Sequence, residues 1–186
     1  MRMLLLGLLA ACAAVTADDE VPAHPHVVLE TSEGEILLEL DGRRAPLTVR
    51  HFLKLVEDGY FDGTIFHRVV PDFVVQGGGY TRDLQLKEPE GWIPNESGNG
   101  LPNLRGTVAM ARQNEPHTAM AQFFINVADN KSLNPRADRW GYAVFGYVIE
   151  GMDVVDRIAA KPTGPAGPLS QDVPVAAIVI NKAYRR

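Results

Sequence analysis

The chain has 186 residues, of which 46% are hydrophobic and 22% charged, and its formal net charge at pH 7 is −5. This length and composition are typical of one soluble domain with a substantial apolar core. The negative charge argues against non-specific binding to nucleic acid or to an anionic membrane surface. The sequence contains no internal repeat and no interdomain linker.

Residues 1–17 have the pattern of a secretion signal. Residues 1–3 include one basic side chain, residues 4–9 are apolar, and small residues occupy positions 15–17, where a signal peptidase would read them. The apolar run is far shorter than the roughly 20 residues that a membrane-spanning helix needs. The pattern predicts export, cleavage after Ala17 and a short flexible segment at residues 18–25.

Cys12 supports an alternative to this cleavage. Residues 9–12 read L-A-A-C, which resembles a bacterial lipobox, so Cys12 could be lipidated and residues 1–11 removed. Cleavage after Ala17 is preferred because an 11-residue leader would be unusually short, unless the true start lies upstream. Cys12 is the only cysteine of the chain, so the domain is expected to contain no disulfide, thiol nucleophile or cysteine metal site. A lipid on Cys12 would be its only membrane contact.

The first predicted elements after the leader are a strand pair and a helix. Residues 27–31 and 35–41 are predicted strands around a turn at residues 32–34, because apolar and polar positions alternate in the second of them. A helix is predicted over residues 46–58, since proline suits its first turn and glycine its end. Its apolar positions have the spacing of one buried face: Val49, Phe52, Leu53 and Val56.

The next segment, residues 66–79, reads F-H-R-V-V-P-D-F-V-V-Q-G-G-G and predicts a hairpin. Pro71 and Asp72 suit its turn, and the three glycines are expected to end its second strand. Alternation places Arg68 on one face with Val70. The hairpin would bring Arg68 close to a phenylalanine and a glutamine. Because an unpaired buried guanidinium is costly, Arg68 is either functional or paired with an acid in a core hairpin.

Strands dominate the remaining chain as well. Residues 107–111 and 123–127 are predicted strands joined by a polar loop, and residues 141–146 form another short strand. The later predicted elements, in chain order, are a helix at 152–160, a Pro/Gly-rich surface loop at 161–174 and a last strand at 175–183.

The motifs F-H-R-V-x-P-x-F-x-x-Q-G-G and A-M-A-R…Q-F-F-I, in this order and spacing, resemble the cyclophilin peptidyl-prolyl cis-trans isomerases. The resemblance covers roughly residues 26–183, and the segment G-Y-A-V-F-G is most similar to the periplasmic bacterial branch. It implies an isomerase domain over residues 26–186. The implied fold is mostly β: a closed antiparallel barrel of about eight strands capped by two α-helices. Periodicity alone does not distinguish this barrel from an open sheet.

The resemblance implies a site on the outer face of the barrel. Rotation about a peptide bond faces a barrier of roughly 18–20 kcal/mol, and its catalysis needs no nucleophile and no cofactor. The family's catalytic arginine matches Arg68, which would hydrogen-bond the prolyl nitrogen in the twisted state. The positions that match the family's substrate-binding residues are Phe73, Val74, Gln76, Ala111, Arg112, Gln122, Phe124, Leu133 and Tyr142. Taken singly, Phe73, Val74 and Phe124 would be interpreted as core residues, but in register with Arg68 and Gln76 they favour a pocket.

The sequence departs from the family pattern at several of these positions. Arg112 replaces an asparagine of many eukaryotic members, Ser132 stands near the place of a tryptophan, and Tyr142 stands in the region of a histidine. These three changes predict weak binding of cyclosporin A, which a nanomolar inhibition constant would contradict. Met120 and Ala121 also depart from the pattern, so catalysis is expected to survive with an altered sequence preference.

Other motifs give weaker indications. The five histidines lack metal-ligand spacing, and His67 is expected to be a structural residue bonded to backbone, since isomerisation transfers no proton. Asn95-Glu96-Ser97 is a formal glycosylation acceptor that a bacterial leader would leave unused.

The leading hypothesis is a monomeric periplasmic isomerase whose partners are unfolded or partly folded proline-containing polypeptides of the export pathway. A peptide-binding chaperone module with little catalysis is the alternative. A hydrolase is disfavoured, because the sequence shows no nucleophile–base pair.

Overall fold

The computed structural model describes residues 21–186. It contains ten strands and two α-helices in that range: β1 (His26–Thr31), β2 (Gly34–Leu40), α1 (Pro46–Glu57), β3 (Thr64–Val70), β4 (Val74–Thr81), β5 (Thr107–Met110), β6 (Phe123–Asn126), β7 (Val144–Glu150), α2 (Met152–Ala159), β8 (Thr163–Ala166), β9 (Leu169–Pro174) and β10 (Ile180–Arg185). Within residues 21–186, neither helix has the length and apolar character needed to cross a bilayer.

Eight of these strands form one antiparallel sheet in the order β10-β1-β2-β7-β5-β6-β4-β3. The two ends of the sheet meet, because Ile65 in β3 bridges Val179 just before β10. Backbone hydrogen bonds strengthen this closure: the Phe66 N–H donates to the Ile178 carbonyl at 2.9 Å and the Gly63 N–H to the Ile180 carbonyl at 2.8 Å. The predicted fold, a mostly β barrel of about eight strands with two helices, is confirmed, and the barrel is nearly closed.

The inner face of the sheet and one face of each helix form a single apolar core. Phe52 of α1 packs edge-on against Phe123 of β6, with ring centroids 5.5 Å apart, a preferred aromatic geometry. Four residues predicted to form the buried face of α1 are buried: Val49, Phe52, Leu53 and Val56. Helix α1 ends at Glu57, one residue before the predicted end.

The β3–β4 hairpin is irregular where it carries Arg68. Arg68 pairs with Gln76 and Phe66 with Gly77, so β3 has one more residue than β4 between these pairs. This bulge places the fully buried Phe66 towards the core, although strict alternation would give it the same face as Arg68. The sequence therefore predicts the hairpin, but the orientation of its side chains depends on the bulge.

The prediction that three glycines end the second strand of this hairpin is wrong, because β4 continues through them to Thr81. They are needed for close packing instead. A Cβ atom at Gly77 would lie 2.7 Å from the Phe66 ring, and one at Gly79 would lie 2.4 Å from the Gln122 side chain. Gly79 therefore leaves room for Gln122 to lie against the strand backbone.

Residues 161–174 were predicted to be a surface loop, but they contain the β8–β9 hairpin. Its turn passes through Gly167, whose φ of +52° favours glycine, so the composition that suggested a loop belongs to a hairpin turn. The last strand starts at Ile180 rather than at residue 175, because Val175 is 76% exposed and outside the sheet. The strand predicted at residues 141–146 is shifted to Val144–Glu150.

Candidate active site

A second, smaller apolar cluster lies on the face of the sheet opposite to the core. Val74 belongs to this cluster and Val75 to the core, and Phe124 lies between two core residues of β6, so alternation assigns the cluster to the outer face. We call it the groove cluster. Its buried members are Val74, Ala109, Phe124 and Val144, with Phe73, Leu101, Ala111, Leu133 and Tyr142 packed against them.

One pocket over the groove cluster is lined by nearly all the predicted site residues: Arg68, Phe73, Val74, Gln76, Ala111, Arg112, Phe124, Leu133 and Tyr142. Gln122, the remaining one, lines the adjoining pocket together with Gln76, Ala111 and Arg112. Residues that are far apart in sequence thus meet on one surface. Cys12, the predicted lipidation site, lies outside the described residues.

A chain of polar side chains runs along one edge of this pocket. The Arg68 Nη1 donates to Gln76 Oε1 at 3.4 Å, and Gln76 Nε2 donates to Gln122 Oε1 at 3.0 Å. The Arg68 guanidinium also lies 5.9 Å from the centroid of the Phe73 ring. The side chain of Arg68 is 37% exposed, so it is held by neighbours while still open to the pocket.

His67 lies beneath this polar chain and is only 4% exposed. Burial lowers the pKa of His67 to about 4, and the nearby Ile65 backbone and Gln122 side chain offset only part of this effect. Its Nδ1 makes no hydrogen bond within residues 21–186, whereas the Ile65 backbone and the Gln122 side chain interact with the ring, in agreement with the expected structural role. His67 is therefore neutral at pH 7 and is not poised to act as a general acid.

Arg112 also lines the pocket, and it joins two loops there. Its guanidinium donates to the carbonyls of Gln113 at 2.9 Å and Trp140 at 3.0 Å, besides those of residues 114 and 141. It also lies 4.6 Å from the centroid of the Tyr142 ring, which in turn packs edge-on against Phe124. The arginine that stands in place of asparagine therefore fixes the shape of the rim.

An acidic partner of Arg68 is the main feature that the sequence reasoning missed. Asp172 Oδ2 in β9 lies 3.5 Å from Arg68 Nε. Pairing with an acid was the alternative considered for Arg68, but the structure places the pair on the outer groove rather than in the core. The sequence carried no local signal for it, because Asp172 lies in the segment that was predicted to be a loop.

Buried asparagines also hold the groove and were not foreseen. Asn130 Nδ2 donates to the Phe73 carbonyl at 2.8 Å and to Asn126 Oδ1 at 2.7 Å, and Asn126 Nδ2 donates to Asn103 Oδ1 at 3.2 Å. Because each buried amide has a partner, this network can fix the backbone at Phe73 without an unsatisfied polar group. The sequence does not predict this role, because these asparagines belong to no recognisable motif.

The long connection from β4 to β5 is fixed by further asparagines. Asn95 Nδ2 donates to the carbonyls of Pro116 at 3.1 Å and Gly141 at 3.0 Å. Two residues further on, the hydroxyl of the buried Ser97 accepts a hydrogen bond from the Gly141 N–H at 3.1 Å. The loops around the groove are thus tied to each other, and Asn99 Nδ2 ties the connection to the barrel by donating to the Val144 carbonyl at 2.9 Å.

The remaining departures from the family pattern lie around the pocket or beside it. Trp140 is 46% exposed and packs against His117 beside a separate cavity, so it does not line the groove pocket. The Ser132 carbonyl accepts a hydrogen bond from Arg139. Met120 and Ala121 both line the pocket that contains Gln122, and Ala121 also packs against the core. Within residues 21–186, no group of three or more His, Cys, Asp or Glu side chains could hold a metal ion.

Comparison with known proteins places this site in a family. Residues 26–184 match the model of the cyclophilin type peptidyl-prolyl cis-trans isomerase/CLD family. The chain belongs to the cyclophilin-type peptidyl-prolyl cis-trans isomerases. Its enzyme class is therefore that of a rotamase, as the motifs around Arg68 and Gln122 indicated.

Two bacterial cyclophilin-type isomerases illustrate the similarity. A peptidyl-prolyl cis-trans isomerase cyp18 of Streptomyces antibioticus is 55% identical over 160 residues, covering 84% of this chain and 96% of that protein. Peptidyl-prolyl cis-trans isomerase A of Dickeya dadantii is 50% identical over 158 residues, covering 85% of this chain and 83% of the relative.

A solved structure supports the same cyclophilin fold. The Cryptosporidium parvum cyclophilin-type isomerase, crystallised in the presence of the dipeptide Ala-Pro, has a TM-score of 0.69 and is 25% identical to this chain. The match covers 87% of this chain and 98% of the other.

Proposed function

We propose that this cyclophilin accelerates the rotation of X–Pro bonds in exported proteins during their folding, and that Arg68 is its catalytic residue. The observation that carries the proposal is the position of Arg68 at the edge of an apolar pocket. A prolyl ring needs an apolar environment, and the twisted peptide bond needs a hydrogen-bond donor beside it. The pocket supplies both.

The physical basis of the proposal is the change in charge distribution during rotation. In the planar peptide the nitrogen lone pair is delocalised, but in the twisted state it is localised and becomes a good acceptor. A permanently charged guanidinium directed at this nitrogen stabilises the twisted state more than the planar one, which lowers the barrier. Gln76 supports the proposal because it accepts a hydrogen bond from Arg68 Nη1 and so restricts the guanidinium.

The groove cluster is the proposed seat of the prolyl ring. Phe73, Val74, Phe124 and Leu133 line the same pocket as Arg68, which gives the ring an apolar contact surface. Gln122 and the backbone at Ala111 and Arg112 would hold the substrate chain on the side of the adjoining pocket. We assign proline-containing, unfolded or partly folded polypeptides as substrates and a monomer as the active form.

The test compares isomerisation of a short X–Pro peptide by the unmodified domain, the Arg68→Ala variant and an Arg185→Ala control. Arg185 pairs with Glu57 at 2.9 Å and lines none of the pockets described above, so its loss should leave the rate unchanged. We expect kcat/KM of Arg68→Ala to fall by about 10²-fold or more, which is typical for the loss of a preorganised donor. Unchanged catalysis by a folded Arg68→Ala variant would overturn the proposed mechanism.

The peptide-binding chaperone remains the second candidate function, because the groove cluster would hold a peptide without Arg68. The same assay separates the two functions. A rate no higher than the uncatalysed exchange in the unmodified domain, with retained peptide binding, would favour the chaperone.

We further propose that the mature protein acts in the periplasm. The leader at residues 1–17 and the similarity of G-Y-A-V-F-G to the periplasmic branch support this location. Expression of the full chain in a Gram-negative host, followed by fractionation and mass spectrometry, tests it. We expect a periplasmic protein that begins at Asp18. Detection of a chain that begins with a lipidated Cys12 would mean that the protein is anchored to a membrane rather than soluble. An unprocessed chain in the cytoplasm would overturn export.

A further inference from the structure

The β8–β9 hairpin brings a carboxylate to the proposed catalytic arginine. These two strands form a separate two-stranded sheet, and β9 packs against β3, the strand that carries Arg68. At this contact Asp172 Oδ2 lies 3.5 Å from Arg68 Nε. The side chains of Arg68 and Asp172 are 37% and 26% exposed, so the pair is partly shielded from solvent.

The backbone of Asp172 has a conformation that few residues adopt. Its φ is 64°, in the left-handed region that is unfavourable for most side chains but tolerated by aspartate and asparagine. Asp172 lies in the irregular part of the β8–β9 pairing, next to the pair Gly164–Val173, and the Nε2 of Gln171 donates to its Oδ2 at 3.3 Å. The packing of β9 against β3 and this unusual backbone conformation bring the carboxylate to Arg68, which an ordinary surface aspartate would not reach.

Two partners act on different parts of the Arg68 guanidinium. Asp172 approaches Nε from β9, whereas Gln76 accepts from Nη1 on β4. Arginine has five N–H donors in one rigid plane, so contacts at Nε and at one Nη group set the orientation of that plane. Among residues 21–186, only Nη1 and Nε of this guanidinium have such contacts, so the N–H groups of Nη2 are available to a substrate in the pocket.

We propose that Asp172 is a positioning residue that holds Arg68 in its catalytic orientation, an inference that rests on the proposed role of Arg68. The carboxylate has a second, opposing effect, because a nearby negative charge weakens a cationic donor. Positioning should dominate, because a carboxylate near Nε leaves the other N–H groups of the guanidinium as donors, whereas a freely rotating arginine would seldom face the prolyl nitrogen. The two effects predict opposite changes in kcat when the charge of Asp172 is removed: a fall if positioning dominates and a rise if the charge effect dominates.

The test uses Asp172→Asn, because asparagine tolerates the same backbone conformation and differs mainly in charge. Asp156→Asn is a matched control, since it removes an Asp–Arg ion pair with Arg105 that lies outside the groove pockets. We expect kcat of Asp172→Asn to fall about three- to tenfold with unchanged KM, since binding of the ground state does not require the oriented donor. The urea midpoint of Asp172→Asn should match that of the unmodified domain.

A spectroscopic readout separates positioning from a structural role. The ¹⁵Nε–Hε resonance of Arg68 should shift or broaden in Asp172→Asn and remain in place in Asp156→Asn. An unchanged or higher kcat would overturn the inference. A rate loss accompanied by a lower urea midpoint or by the same loss in the control would also overturn it.

A double-mutant cycle separates this inference from the proposed function. In the Arg68→Ala background, Asp172→Asn should cause no further loss of kcat, because it acts only through Arg68. If Arg68→Ala retains full activity, the proposed catalytic role fails and the positioning role fails with it. If Arg68→Ala is inactive and Asp172→Asn is fully active, only the positioning role fails.

Discussion

His67 shows how one buried side chain next to the proposed catalytic arginine responds to pH. It lies in the bulged part of β3, under Gln122, and is almost fully buried. Burial lowers its pKa from 6.5 to about 4 because the imidazolium ion is poorly solvated in that position. The unfolded chain therefore binds a proton at His67 at a pH where the folded chain does not.

This difference predicts a pH-dependent stability. Above pH 6.5 both states are neutral at His67, and as the pH falls from 6.5 to about 4 the unfolded state is stabilised by protonation. The contribution to the free energy of unfolding is on the order of 3 kcal/mol, lost across that range. Urea unfolding at several pH values should show a shallower decline for His67→Gln than for the unmodified domain.

The exposed His117 provides the matched control for this experiment. His117→Gln should retain the steeper decline of the unmodified domain between pH 6.5 and 4. Equal slopes for His67→Gln and the unmodified domain would show that His67 takes up its proton in the folded state as well.

At the scale of elements, helix α1 begins without the usual side-chain cap. Ala45 occupies the N-cap position and no acidic residue lies in the first turn. Glu96, from the long connection between β4 and β5, replaces the cap: its carboxylate accepts from the Leu47 N–H at 3.1 Å and the Thr48 N–H at 2.8 Å. It also accepts from the hydroxyl of the buried Thr48 at 2.7 Å.

Glu96→Ala should therefore destabilise the domain by about 2 kcal/mol, because it removes the cap and leaves a buried hydroxyl without its acceptor. The free energy of unfolding in urea measures this loss. Glu90→Ala, at an exposed position of the same connection, should change it by less than about 0.5 kcal/mol. Equal values for the two variants would mean that solvent replaces the cap.

The contrast between the buried face of α1 and its N-terminal cap explains what the sequence could predict about elements. Helical periodicity identifies the buried face of α1 to the residue, since it depends only on local spacing. The capping residue is not local, as Glu96 lies 48 positions beyond Thr48. The same distinction applies to β4, whose glycines resemble a strand end in sequence but are required by aromatic and amide side chains from other elements.

At the scale of the whole molecule, the sequence predicts the fold class but not the closure of the barrel. Alternation finds most of the strands, yet a closed and an open sheet have the same alternation. Closure depends on β10, which pairs with β1 on one side and bridges β3 through the residues that precede it. The resemblance in the motifs supplied this information, because the fold was known from other members of the family.

The residues of the site also fall into two groups, those that the sequence could predict and those that it could not. Residues within the two motifs, such as Arg68 and Phe124, could be predicted to lie together because the family pattern carries their positions. Asp172 could not, since it reaches Arg68 only through the packing of the β8–β9 hairpin against β3. The buried asparagines that support Phe73 are likewise defined by three-dimensional contacts and by no motif.

The anchoring of the long connection has a practical consequence for producing this protein in a eukaryotic secretory host. The amide nitrogen of Asn95, to which an oligosaccharide would be attached, is already engaged with two carbonyls, and Ser97 of the same acceptor triplet is buried. A sugar could be attached only before this connection folds, and it would then keep the two surrounding loops apart. In such a host, folding and glycan transfer would compete for the same nitrogen atom, and replacing Ser97 to block the transfer would itself remove a contact of the folded loop.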